Sequence, residues 1–396
     1  MTETTEDLRA EVRRWLEENA PADWRSAMTG CDQDAFVAAQ KEWFAKFAAA
    51  GYATPHWPKE WPGGGRSLAE QKVIYEEVAR NDAPRLILYF VSLYHAAMTL
   101  VEWASEDQAK EYLNGILKGD IWCQGFSEPN AGSDLANVKT KGERRGDVYV
   151  INGQKIWSTM AQYADKCLLL VRTASDGPKQ AGLTYLVMDM NAPGVTVRPI
   201  EQITDDEEFA EIFLDDVEIP VANRLGEEGG GWAVAQSTLA SERGLTLVEL
   251  SQRMHGMLWR ISDAMATAGR SEDPVARKAL GGLHSEVSAV CALADGYLRR
   301  RIDGEERVGD ASIVKLAYSR VLRLYTSVGI ELAGLDGQYH SPFTAGGSQE
   351  TGNWAVDFMN SYAWTIAGGS DEVQRNIISE RLLEMPREPK TWRLEA

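Results

Sequence analysis

The chain predicts an α+β fold in three successive parts: a helical domain, a small antiparallel β domain, and a second helical domain. Two observations predict it. Apolar residues recur at three- and four-residue steps before Trp122 and again after Trp232, whereas short β-prone runs separated by turn residues fill the stretch between. At 396 residues the chain is also longer than one hydrophobic core usually serves, so two or three packed sub-domains are expected. The expected boundaries are 1–121, 122–222 and 223–396.

Each element has a local reason. Leu8, Val12 and Leu16 repeat at four-residue steps and predict an N-terminal helix. Ser67 caps the run from Leu68 to Val78, with Glu70 three residues on as in a capping box, and Pro84 falls soon after it. Residues 86–101 are strongly apolar and predict a buried helix. In the middle part, the β-prone runs on either side of Asn152-Gly153 read as a hairpin. Further strands are expected at Cys167–Val171, Leu183–Met188, Val195–Ile200 and Ala210–Leu214. Beyond Trp232, Leu247, Leu250, Met254, Met257, Ile261 and Met265 predict one long amphipathic helix, with two or three more helices following to residue 385.

Composition narrows the class. A net charge of −18 disfavours nucleic acid and anionic membrane, both of which present phosphate, but not a phosphorylated small molecule held by a local basic spot. Cys31, Cys123, Cys167 and Cys291 are scattered without metal-ligand spacing and read as reduced and buried. The five histidines are too dispersed to propose a metal site. The acidic, amphipathic N-terminus does not read as a signal peptide, and no apolar run is long enough to span a bilayer. A cytoplasmic enzyme is the expectation.

The most specific string is Gly125-Phe-Ser-Glu-Pro-Asn-Ala-Gly-Ser-Asp134. Pro129 and Gly132 stiffen a loop, while Ser127, Ser133 and main-chain N–H groups offer donors to an acceptor-rich ligand. Alone it reads as a polar turn. Beside Trp157-Ser-Thr159 it reads differently, since an indole next to two hydroxyls can cover a planar heteroaromatic and hydrogen-bond its edge.

Together with the hairpin NGQKIW, the turn Asn223–Trp232 and the C-terminal GGSDEVQRN, these strings resemble the acyl-CoA dehydrogenase family over nearly the whole chain. The resemblance implies that family's fold, FAD as cofactor and an acyl-CoA thioester as substrate. Phe126, Ser127, Trp157 and Thr159 match positions that contact the flavin ring, and Ser133 matches a residue near the pantetheine or phosphate arm of CoA. Gly368, Gly369 and Ser370 would pass close to the flavin, where glycine lets main chain approach. A helix is expected from about Ser370, with Asp371 and Glu372 in its first turn.

Many family members carry the catalytic glutamate at the position of Gly368, so here a carboxylate on another helix must supply the base. Glu242, in the run LASERG, sits where a second branch of the family carries it. At about 100° per residue it lies at the edge of the apolar stripe of Leu239, Leu250 and Met257, where partial desolvation would raise its pKa towards a useful value. Arg243 matches a position near the substrate or the subunit interface, and a structural ion pair is the alternative.

Arg277 resembles the arginine that reaches a neighbouring subunit's FAD pyrophosphate. Around it the chain departs from the family: Leu280 replaces an aromatic, Glu331 a glutamine and Leu335 a glycine. The half-site that serves the neighbour's flavin is therefore altered, whereas the half-site for the chain's own flavin looks intact. Two assemblies follow, a divergent homotetramer or an α2β2 heteromer in which a related chain supplies the missing half. The SERG placement and the run TPHWPKEW near residue 54 are similar to actinobacterial members that act on steroid side-chain thioesters and form mixed tetramers.

The mechanism implied is α,β-dehydrogenation. Glu242 abstracts the α-proton, the β-hydrogen leaves as hydride to flavin N5, and the thioester carbonyl is polarised by the main-chain N–H at Gly368 and a ribityl hydroxyl. Electrons then pass to an electron-transfer flavoprotein. Two alternatives stay open: a non-catalytic partner subunit that has kept the fold, and a flavin oxidase or monooxygenase on the same scaffold.

Overall fold

In the computed structural model, residues 3–241, 245–339 and 351–387 are described. The N-terminal part contains α1 (Glu3–Asn19), α2 (Trp24–Met28), α3 (Gln33–Ala49), α4 (Leu68–Arg80), α5 (Ala97–Trp103) and α6 (Glu106–Lys118). The capping box at Ser67 and Glu70 opens α4 as expected, and a second one, Ser105 with Gln108, opens α6. The apolar stretch 86–101 is helical but irregular. It runs through a 3-10 turn at Ile87–Tyr89 and a π-helical turn at Val91–Ala96 before settling into α5. The N-terminal helices are tied together by a buried carboxylate: Glu77 on α4 accepts from Arg9 and Arg13 of α1 at 2.6 and 2.8 Å. Burial alone would raise Glu77, but the two guanidiniums hold it below the usual carboxylate range.

The middle part is an eight-stranded sheet of β1 (Trp122–Gly125), β2 (Lys141–Arg145), β3 (Val148–Thr159), β4 (Lys166–Arg172), β5 (Leu183–Asp189), β6 (Val195–Pro199), β7 (Phe209–Pro220) and β8 (Arg224–Leu225). Its order is β6-β7-β3-β2-β4-β5-β8, with β1 also on β4. The sheet is antiparallel except beside β4, which β1 and the end of β2 flank in parallel. This explains the continuous apolar run of β4. Leu168 and Leu170 face the N-terminal helices, and Cys167, Leu169 and Val171 face a second core on the other side.

The hairpin expected at Asn152-Gly153 is not there. β3 passes straight through both residues, and the turn between β2 and β3 is Gly146-Asp147, with Arg145 paired to Val148. At Asn152-Gly153 the pairing with β7 shifts instead, as a bulge does. Glycine is needed there because a Cβ would lie 2.8 Å from the Cα of Thr140. The Asn-Gly signal marked a close approach of two backbones.

The C-terminal part holds α7 (Gly231–Ser241), α8 (Leu245–Gly256), α9 (Leu258–Thr267), α10 (Pro274–Ile302), α11 (Asp310–Ala333), α12 (Trp354–Ser361) and α13 (Asp371–Ile377). The single long helix expected over Leu247–Met265 is two, α8 and α9, joined at Met257 (φ −91°, ψ 0°). The apolar stripe continues across the break, since Leu250, Met254, Met257, Ile261 and Met265 all pack into one core with α10 and α11. The spacing reported a continuous buried face, which survives a kink. α8 also packs on α4, where Arg253 donates to the Ala83 carbonyl at 2.8 Å. No helix among the described residues is long and apolar enough to cross a membrane.

Candidate active site

The loop after β1 is held by one buried ion pair. Lys155 of β3 is fully buried and reaches Glu128 at 2.9 Å and the Phe126 carbonyl at 3.1 Å. Glu128 in turn accepts the main-chain N–H groups of Lys139 and Thr140 at 2.7 and 2.8 Å. Burial pushes the Lys155 ammonium down and would push the Glu128 carboxyl up, but their attraction and the two N–H donors keep Glu128 below the usual carboxylate range. The pair therefore stays ionised and fixes Phe126 and Ser127 against β3, where the Ile156 N–H donates to the Ser127 carbonyl at 3.0 Å.

β3 then turns its next residue outward. Its register with β7 shifts between Lys155 and Ser158, and Trp157 sits in the left-handed region at φ 60°. Met160 follows at φ 53°. Two bulky residues with positive φ within four positions each cost on the order of 1–3 kcal/mol and persist only where the surroundings impose them. The outcome is an indole 56% exposed, braced edge-on by Phe209 at 6.1 Å. Among the described residues, the Ser127 and Thr159 hydroxyls have no hydrogen-bond partner. An exposed flat ring beside uncommitted hydroxyls fits the isoalloxazine of FAD, and the residues present suit that cofactor. Phe126 itself is buried edge-on against Tyr185 at 5.6 Å, so it shapes the floor of this surface. Ser133 is exposed on the outer part of the same loop.

A second group stands at the entry to α13. Ser370 caps the helix by accepting the Val373 N–H, with Asp371 and Glu372 in the first turn. Gly368 and Gly369 both have positive φ, 65° and 84°. Gln374, buried, folds back to donate to the carbonyls of Gly368 and Gly369 at 2.8 and 3.1 Å. A Cβ at Gly369 would lie 2.6 Å from that amide nitrogen. With its carbonyl engaged, Gly368 keeps an N–H that no acceptor among the described residues takes. Asp371 is anchored from α11 by Lys315 and Ser319, both at 2.9 Å.

Among the described residues no hydrogen bond joins 126–127 or 157–159 to 368–370. Arg277 is apart from both groups, near the start of α10, exposed and paired with Glu272 at 3.2 Å. Leu280 packs against the C-terminal core, and Leu335 is 86% exposed. Glu242 and Arg243 lie outside the described residues. What precedes them is described: Thr238 of α7 bonds Thr99 and Tyr185 at 2.8 and 3.0 Å, and Tyr185 is the residue against which Phe126 packs.

Five further residues were not singled out from the sequence as site residues. Lys155 and Glu128 lie inside the two strings that were, and a charge pair within a ligand-facing motif was the available signal. Gln374 lies in the GGSDEVQRN string, but its backward reach depends on the tight loop before α13. The contact of His95 with Gln124 at 3.3 Å joins the π-helical turn to β1 and left no sequence trace.

Comparison with known proteins follows the same three parts. Residues 2–120 match the acyl-CoA dehydrogenase N-terminal domain, 123–217 the middle domain and 229–383 the C-terminal domain. The chain is 36% identical over 407 aligned residues to acyl-CoA dehydrogenase IpdE1 of Mycolicibacterium smegmatis, covering 97% of this chain and 99% of that protein. Among solved structures it is similar to the Tcur3481-Tcur3483 steroid ACAD, with 28% identity, a TM-score of 0.85 and coverage of 98% and 99%. It is likewise similar to the ChsE4-ChsE5 complex from Mycobacterium tuberculosis, with 28% identity, a TM-score of 0.82 and the same coverage. The chain belongs to the acyl-CoA dehydrogenase family, whose members are FAD-binding flavoprotein oxidoreductases.

Proposed function

We propose that this chain catalyses α,β-dehydrogenation of an acyl-CoA thioester, with Glu242 as the base that takes the α-proton. The observation that carries the reading is the pair of prepared surfaces. One is the outward Trp157 with the free hydroxyls of Ser127 and Thr159, and the other is the Gly368 N–H left uncommitted by the Gln374 brace. FAD, when bound, supplies the two-electron acceptor for the β-hydrogen. The chain's own residues do the rest. Phe126, Ser127, Trp157, Thr159, Gly369 and Ser370 hold and orient the ring system, and the Gly368 N–H polarises the thioester carbonyl so that the α-proton becomes acidic. Ser133 and Arg243 line the path of the CoA thioester.

Glycine at position 368 leaves no carboxylate there, so the proton must go elsewhere, and Glu242 is the candidate in the second position that the family uses. An electron-transfer flavoprotein is the expected acceptor of the electrons, in the cytoplasm. A bulky or steroid side-chain thioester is favoured by the likeness to structures titled steroid ACAD. The assembly is a tetramer in which Arg277 reaches a neighbour's pyrophosphate. Glu331 and the exposed Leu335 replace family residues on that side, and the solved relatives titled with two chain names favour an α2β2 arrangement with a related chain. Full FAD occupancy in the chain purified alone would remove the motive for a partner.

A non-catalytic subunit is the second reading, motivated by Gly368. Anaerobic addition of an acyl-CoA separates the two: loss of the oxidised flavin absorbance supports the dehydrogenase, and an unaltered spectrum supports the inert subunit.

A further inference from the structure

The three parts of the fold meet at one buried oxygen that the mechanism above does not use. Thr238 Oγ1, on α7, lies 2.8 Å from Thr99 Oγ1 on α5 and 3.0 Å from the Tyr185 hydroxyl on β5. One side chain of the C-terminal part thus bonds the N-terminal and middle parts at once. All three residues are buried, so these bonds are made away from water. Thr99 also lies 2.8 Å from the His95 carbonyl, which can only accept. Thr99 therefore donates to His95 and accepts from Thr238, which shares its proton with the Val234 carbonyl at 3.0 Å. Tyr185 ends the chain as the donor to Thr238, and burial pushes its phenol well above the ordinary value, so the proton stays. Other ties between parts, such as Gln33 with Glu207 and Lys72 with Asp295, join two parts each and are only partly buried.

Both ends of this hydroxyl chain bear on the strand that delivers Phe126. At one end, the Tyr185 ring is the surface against which Phe126 packs edge-on at 5.6 Å. At the other, the His95 ring bonds Gln124 of β1 at 3.3 Å, two residues before Phe126. The strand has little room to yield between them, since a Cβ on Gly125 would lie 2.9 Å from Cys167 Sγ and from Leu169 Cδ1. A shift of Tyr185 is therefore passed to the Phe126 ring instead of being taken up by β1.

We propose that Thr238 is a positioning residue for the flavin site: its hydroxyl docks the three parts of the chain on one atom and so sets where Phe126 stands. This inference rests on the dehydrogenase reading. Thr99, Thr238 and Tyr185 are all buried, so they act through the placement of Phe126. Valine in place of Thr238 keeps the shape but leaves the Tyr185 hydroxyl without its acceptor and Thr99 without its donor, both out of water. The Tyr185 hydroxyl must then move to find a partner, and the ring against Phe126 moves with it. Serine keeps the oxygen and drops only a methyl. A misplacement of about 1 Å around reacting groups can lower a rate by about 100-fold.

The test is anaerobic reduction of the FAD-loaded holoenzyme by an acyl-CoA that reduces the parent, with the rate normalised to bound flavin. Thr238→Val should lower the rate at saturating thioester by about tenfold or more, with half-saturation within about threefold of the parent. Thr238→Ser should stay within about twofold of the parent's rate, because the oxygen is kept. The oxidised flavin's visible absorption should shift in Thr238→Val and not in Thr238→Ser, a contrast that weaker folding alone would not produce. Tyr185→Phe removes the donor and keeps the ring, so its rate should fall by about three- to tenfold, and it decides the matter if Thr238→Val does not fold. A folded valine variant reduced at the parent's rate overturns the inference, as does a serine variant as slow as the valine one. Where only Tyr185→Phe folds, the parent's rate in that variant overturns it. Each of these results leaves the dehydrogenase reading standing. If no acyl-CoA reduces the parent's flavin, the dehydrogenase reading fails and takes this inference with it.

Discussion

Replacing Lys155 by Met keeps the volume of the side chain and removes its charge at the centre of the flavin-facing loop. The loss can be worked from the geometry. Two charge-assisted hydrogen bonds vanish, to Glu128 at 2.9 Å and to the Phe126 carbonyl at 3.1 Å, and Glu128 is left buried with only the Lys139 and Thr140 N–H donors. Breaking one partner of a buried pair typically costs about 3–5 kcal/mol. The variant should therefore unfold at lower urea by that amount, and FAD affinity should fall by about tenfold or more, since each 1.4 kcal/mol misdirected into the loop is a factor of ten. The deficit should also depend on pH. In the parent, Glu128 is held below the usual carboxylate range. Without Lys155 its pKa rises, so the penalty is full at neutral pH and shrinks as acid protonates the stranded carboxyl. A double-mutant cycle with Glu128→Gln isolates the coupling, which should exceed about 1 kcal/mol. A folded Lys155→Met protein with unchanged stability and FAD affinity would show that the pair does not hold the loop, and the account of how Phe126 and Ser127 are positioned would fail.

Other expectations follow from single features. Trp157→Ala should leave the stability of the FAD-free protein within about 0.5 kcal/mol, because the indole is mostly exposed, while weakening FAD binding by about three- to tenfold in a fluorescence titration. Gly369→Ala puts a side chain at φ 84° and 2.6 Å from Gln374 Nε2, so it should displace the brace on Gly368. FAD should stay bound while the rate of flavin reduction by acyl-CoA drops by about tenfold or more, as for loss of a carbonyl-polarising donor. Glu77→Gln should destabilise by about 2–4 kcal/mol at pH 7, discounted for the part-exposed Arg13. Because the folded pKa of Glu77 is depressed, its contribution is present above the unfolded value near pH ~4.3 and is lost as pH falls. Acid denaturation followed by circular dichroism should consequently show a flatter slope below pH ~4.5 in the variant.

The helix–sheet–helix order was legible because it rests on apolar spacing, which is local. The Ser67 capping box and the Ser370 cap were legible for the same reason, since each is completed within four residues. What misled was sequence whose meaning depends on a distant partner. Asn152-Gly153 carries a hairpin signal, yet the constraint there is the Thr140 backbone crossing close by. The stripe from Leu250 to Met265 fixes a buried face but not whether one helix or two present it. At the candidate site, Trp157 and Thr159 drew notice through residue type. The register shift and left-handed φ that aim the indole outward come from pairing with β7 and have no sequence signature. The π-helical turn that brings Tyr94 and His95 beside His56 and Gln124 was equally invisible, because its periodicity differs from an ordinary helix by a single residue.

The central claim is that Glu242 takes the α-proton, and the direct measurement is anaerobic stopped-flow reduction of the Glu242→Gln holoenzyme by an acyl-CoA that reduces the parent, with any co-purifying related chain retained. The variant should bind FAD in the parent's stoichiometry and be reduced slower by about 10²–10⁴-fold, the range expected for loss of a positioned base. Reduction at the parent's rate, with FAD bound as before, would contradict the assignment.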